Sequence, residues 1–154
     1  NPKEYHYHPI AEDRLVLITA NREPFQTLHR NGTSGLELLD MPIILREENS
    51  GTRLEMEQYL RKHQIAPEHL HVVAQIDNPE AIRSSVSRGL GVSIMSVLAA
   101  REYLLTGQLL AFELGEQGAF RKIYLAWRKD ALLSAAEQRF LEFVKCRPLV
   151  TAAK

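Results

Sequence analysis

With 154 residues, 45% hydrophobic and 25% charged, the chain has ordinary globular composition and enough length for one core or two small lobes. Its 19 basic and 19 acidic residues cancel, which removes any global electrostatic drive toward nucleic acid or an anionic membrane. A single cysteine, Cys146, excludes an internal disulfide and suits a reducing, cytoplasmic compartment, and no apolar run reaches membrane-spanning length.

The amino terminus, Asn1-Pro2-Lys3-Glu4-Tyr5, has neither a signal peptide's apolar core nor an initiator methionine, so a fragment or a processed product is expected. Tyr5, Tyr7 and Pro9 then alternate with His6, His8 and Ile10. After the turn-like Ala11-Glu12-Asp13, the run from Arg14 to Ala20 reads as a buried strand, so the chain is expected to open with two strands. Asn21 to Ser34 reads as a connection, Leu36 to Leu39 as a short helical turn, and Ile43-Ile44-Leu45 as a strand.

The most informative stretch follows. Arg46-Glu47-Glu48-Asn49-Ser50-Gly51-Thr52-Arg53 joins that strand to a helix running to about His63, through a hydroxyl-bearing turn. Thr52-Arg53-Leu54-Glu55 fits a capping box, with Ser50 as the competing cap. Gly51 leaves the backbone open, so the hydroxyls and first-turn amides, at the positive end of the helix dipole, suit a carboxylate or sulfate. A helix start that merely caps itself is the plainer alternative. Arg46 and Arg53 have the planar geometry to fork an anion, or equally to pair with Glu47, Glu48 or Glu57.

Leu70 to Ile76 is the next expected strand, and Asn78-Pro79 supplies a cap residue with proline at the first helical position. That helix ends at Gly89, Gly91 to Ser96 forms a buried strand, and a further helix spans Leu98 to Leu105 and stops near Gly107. Leu109 to Leu114 and Phe120 to Trp127 read as strands. Ser134-Ala135-Ala136-Glu137 is a capping box that opens a last helix with the apolar stripe Phe140, Leu141 and Val144. Strands alternating with helices predict an α/β sandwich with a largely parallel sheet.

Other chemistry is less well supported. His6 with His8, and His69 with His71, make two pairs at strand spacing that suit zinc in principle, but solvated strand edges explain them more simply and no metal is expected. There is no Gly-x-Ser-x-Gly elbow, and Cys146 lies in a helical pattern with no base in evident reach. Gly89-Leu90-Gly91 ends a helix and precedes a strand, the reverse of a nucleotide loop. Tyr124 and Trp127 read as core rather than as a base-stacking platform. No catalysis and no cofactor are expected.

Three segments, AEDRLVLIT, PIILREENSGTR and EAIRSSVSRGLGVSIMSVLAA, together with GQLLAFEL and RKIYLAWRKDALLSAAEQRFLEFV, resemble in order and wording the effector-binding region of LysR-type transcriptional regulators. The resemblance runs from about Pro9 to Val144. It implies a type 2 periplasmic-binding-protein-like α/β fold, two lobes with a small-molecule effector in the cleft between them. In that scheme residues 1–12 are a remnant of the first lobe and crossover, 13–114 the second effector-binding lobe, and 115–154 the return crossover with a strand and carboxyl-terminal helix of the first.

Carried over by position, Ser50, Gly51 and Thr52 match the hydroxyl-bearing turn through which the family's second lobe contacts its effector. Arg46 lies beside them, and Asn78 starts a helix that should point into the same cleft. The resemblance also implies a small-molecule effector, which the hydroxyl-bearing helix start and Arg46 lead us to expect to be anionic, and contact with DNA only through a winged helix-turn-helix outside this chain. It further implies homo-oligomers, and incomplete cover for Ile123, Leu125, Trp127 and the last helix, which favours self-association. A free-standing solute-binding domain of the same fold is the alternative. An enzyme on this fold would have only Glu47 and Glu48 as titratable groups beside the turn.

Overall fold

Alternation of side chains along the first strand organises the larger part of the molecule. The structure, a computed structural model, describes residues 2–147 and 149–151. These fall into two compact units, Arg14–Phe120 and Asn1–Asp13 with Arg121–Lys154. Strand β1 (Tyr5–Ala20) is unbroken over 16 residues, so the expected turn at Ala11-Glu12-Asp13 is not made. Asp13 keeps a strand position because its buried carboxylate has a partner: Arg121 Nε and Nη2 lie 2.9 and 2.8 Å from its Oδ2.

In the Arg14–Phe120 unit, β2 (Ile43–Arg46) pairs parallel with β3 (Val72–Ile76). A parallel bridge from Ile43 to Val92 ties β2 to the strand β4 (Ser93–Ser96). β1 runs antiparallel between β4 and β5 (Leu109–Glu113), with Leu17 opposite both Ile94 and Phe112. The strands therefore follow the order β3-β2-β4-β1-β5 with β1 alone reversed. A largely parallel sheet is what the pattern predicted, and the reversal of β1 is the addition.

Alternation sorts the core onto two faces. Leu15, Leu17, Ile43, Leu45, Ile94 and Phe112 pack on one face, beneath α1 (Phe25–Arg30), a 3-10 turn at Gly35–Leu38 and α2 (Gly51–Lys62), which contributes Met56 and Leu60. Val16, Ile18, Ile44, Met95 and Leu109 pack on the other with Ile82 and Val86 of α3 (Pro79–Ser87) and Ala100 of α4 (Val97–Leu105). Helix α1 lies inside the stretch expected to be a connection; it is only six residues long and follows Pro24, so periodicity has no room to register. α3 ends as expected: Gly89 (φ 80°) donates to Val86 and Leu90 to Ser85, a paired closure that needs a left-handed residue.

The second unit has the first half of β1, most of β6 (Ala119–Arg128), α5 (Ala135–Lys145) and the short β7 (Val150–Thr151), which lies parallel to β1. α5 starts with the expected capping box, Ser134 and Glu137 each bonding the other's amide. None of its residues is buried. Tyr124 is exposed and Trp127 only half-buried, the latter in a tilted ring contact with His6 and with the Lys145 ammonium over its ring, so neither is the core residue its strand pattern implied.

Candidate functional site

Parallel strands bring their carboxyl ends to one edge of a sheet, and that edge collects the amino ends of the helices that follow. Here β2, β3 and β4 end at Arg46, Ile76 and Ser96, and α2, α3 and α4 begin there with Ser50, Asn78 and Ser96 as N-caps. β1 enters this unit at the same edge, with Leu15 opposite Ser96 and Val16 opposite Glu113.

The caps differ. Asn78 Oδ1 accepts from the Glu80 amide at 2.8 Å, and Ser96 Oγ from the Ala99 amide at 3.3 Å. Ser50 holds the cap position of α2 but makes no side-chain cap bond. It is buried, with its amide donating to the Glu47 carbonyl at 3.0 Å. The expected Thr52–Glu55 capping box is therefore not formed. The Glu47-to-Ser50 turn delivers the chain to the helix earlier, leaving Thr52 within the first turn as a half-buried residue. A Cβ built on Gly51 meets nothing within 4 Å, so the space beside this turn is open.

Both arginines pair with carboxylates. Arg46 Nε and Nη2 each donate at 2.8 Å to the two oxygens of Glu47, and this bonding holds the Glu47 carboxyl below its ordinary range. Arg53 Nε donates to Glu57 at 2.9 Å and its Nη1 to the Arg46 carbonyl at 3.1 Å, clamping α2 onto the end of β2. Arg53 is thus a structural brace.

Ser50, Gly51, Thr52, Arg46 and Asn78 therefore all belong to one edge of the sheet. Sequence reading passed over Ser96, the third cap there, and the Arg14–Glu113 ion pair at 2.8 Å. Ser96 was legible as a hydroxyl between a strand and a helix; Arg14 gave only a charge at the head of an apolar run. A cavity of about 250 Å³ beside β5, lined among others by His29, Ser34, Phe112 and Glu113, includes none of the five predicted residues. His69 closes a 3-10 turn (Pro67–His69) rather than occupying a strand, and among the described residues no three His, Cys, Asp or Glu gather as a metal site. Cys146 caps α5 and is exposed. No helix of the described residues is long and apolar enough to cross a membrane.

A family model described as the LysR substrate binding domain matches residues 1–148. The chain is 29% identical over 136 residues to the HTH-type transcriptional activator CmpR of a Synechocystis species, covering 88% of this chain and 43% of that protein. It is 31% identical over 135 residues to the RuBisCO operon transcriptional regulator of Acidithiobacillus ferrooxidans, covering 88% and 42% respectively. The chain thus spans under half the length of these relatives. Among solved structures, the regulatory domain of Synechocystis CcmR in complex with 2-PG is similar at TM-score 0.76 and 25% identity, over 92% of this chain and 66% of that one. The effector binding domain of QuiR in complex with shikimate is similar in fold at TM-score 0.77 and 23% identity, over 94% and 65%.

Proposed function

Because this chain belongs to the LysR substrate binding domain family, a family of regulatory effector-binding domains rather than enzymes, we propose that it senses a small anionic metabolite at the Ser50-Gly51-Thr52 edge and passes the signal to a winged helix-turn-helix on the same protein. The observation that carries the reading is the convergence of three helix amino ends on one edge, with open space beside Gly51. Helix amino ends favour negative charge through their dipoles and first-turn amides. In this reading Ser50 and Thr52 supply hydroxyls, Arg46 a fork and Asn78 the neighbouring helix start, while the family's other lobe closes the cleft. The similar regulatory domain solved in complex with 2-PG supports a small-molecule ligand.

A sensor works only if the ligand prefers one arrangement of the protein, since equal affinity for two states shifts neither. The parent protein acts as a homo-oligomer in the cytoplasm, with DNA contact outside this neutral chain.

Titration calorimetry of the chain with 2-PG and with shikimate tests the reading. Saturable binding of either, weakened roughly two- to tenfold by Thr52→Val through loss of one hydrogen bond, is the expected result. Equal affinity of wild type and Thr52→Val would remove Thr52 from the site.

A further inference from the structure

The arginines of the Arg14–Phe120 unit are mostly committed to holding elements together. Arg53 braces α2 on β2, Arg14 of β1 pairs with Glu113 of β5, and Arg83 of α3 donates to the Ala99 carbonyl of α4 at 2.6 Å. Arg46 differs. Its side chain is only 20% exposed, yet the one partner of its guanidinium among the described residues is Glu47, the next residue in the chain. A bond between sequence neighbours ties no two elements together. Its geometry is the side-on fork, in which Nε and one Nη each meet a separate carboxylate oxygen, here at 2.8 Å. That is also how guanidinium receives the carboxylate or phosphate of a ligand.

We propose that Glu47 is an internal competitor for the effector: its carboxylate occupies the Arg46 fork when the site is empty, and the effector's own anionic group displaces it on binding. This rests on the effector site proposed above and goes beyond it by naming what sets specificity. A ligand offering two oxygens to the fork replaces Glu47 bond for bond, whereas a ligand without such an anion leaves the fork closed and gains nothing from Arg46.

The test uses the chain itself with 2-PG as the probe, and inorganic phosphate as the minimal oxyanion, in titration calorimetry. Glu47→Gln keeps the shape of the side chain but removes its charge, and it should tighten binding about two- to fivefold, the scale of a partly exposed ion pair. Arg46→Gln should weaken binding roughly tenfold or more. The double variant should match Arg46→Gln alone, because a competitor without its target has no effect. Glu47→Gln binding no more tightly than wild type, or the same gain persisting without Arg46, overturns the competitor while leaving the effector site standing. Failure of wild type and both single variants to bind either probe at millimolar concentration overturns the anionic site and the competitor together.

Discussion

Helices α3 and α5 have the same design and opposite fates. Each opens on a side-chain cap, Asn78 or Ser134, and each has apolar residues at helical spacing. α3 buries Ile82 and Val86 completely, whereas α5 buries nothing and leaves Phe140 56% and Phe143 55% exposed. The same contrast separates the strands: β1 is buried without a break from Leu15 to Ala20, while β6 has one buried residue, Ala119, and exposes Phe120, Ile123 and Tyr124. Amphipathic pattern therefore specifies that an element has an inner face, and only packing decides whether anything covers it.

The largest effect expected from this contrast is in stability. Ile82→Ala empties a filled site between α3 and the sheet and should cost about 2–5 kcal/mol in denaturant unfolding. Phe140→Ala, on a half-exposed position, should cost less than about 1 kcal/mol despite removing more atoms. Its effect should appear instead in light scattering, where the wild-type chain is expected to associate as concentration rises and Phe140→Ser to shift that onset upward. Equal destabilisation by the two alanine variants would mean that the α5 face is covered in solution, and the contrast would fail.

A middle-sized effect comes from the caps. Asn78→Ala and Ser134→Ala each remove an acceptor for a helix amide, at roughly 0.5–2 kcal/mol apiece. α3 is locked into the core, so its loss should lower the global unfolding free energy. α5 has no buried anchor, so Ser134→Ala should speed amide exchange within 135–145 and leave the midpoint of the main transition nearly in place. Global destabilisation by Ser134→Ala would show that α5 unfolds together with the larger unit.

Elements whose signals are local were legible from sequence: the strand at Ile43 to Leu45, the proline-led start of α3, the glycine stops at Gly89 and Gly107, and the capping box of α5. The misreadings arose where a distant residue decides. Ala11-Glu12-Asp13 looks like a turn because an aspartate in a strand needs a partner, and that partner, Arg121, is 108 residues away. Thr52-Arg53-Leu54-Glu55 has the wording of a capping box, but the hydrogen bond from Ser50 to Glu47 sets the helix start first. In the candidate site, the strand ends and caps could be placed from spacing alone. The pairing of Arg46 with Glu47 rather than Glu48, and of Arg53 with Glu57, is a choice among near-equal partners that only side-chain packing makes.

The smallest effect separates the same two regions by pH. Glu80 and Glu137 both have carboxyls held below their ordinary range, Glu80 first by the Tyr103 hydroxyl and then by Arg83, Glu137 by the Ser134 side chain and then its amide. A carboxylate whose pKa is depressed in the folded state adds stability that is complete above its unfolded value and disappears as pH falls through the folded one. Both contributions are therefore present at neutral pH and lost on acidification below the usual carboxylate range. The Glu80 bonds reach from α3 to Tyr103 of α4, so Glu80→Gln should flatten the acid limb of a global stability curve. The Glu137 bonds stay within one helix turn, so Glu137→Gln should leave that curve unchanged and alter only the pH dependence of amide exchange in α5. Identical acid limbs for wild type and Glu80→Gln would show that the bridge from α3 to α4 is too solvated to matter, and would confine the difference between the two regions to their apolar contacts.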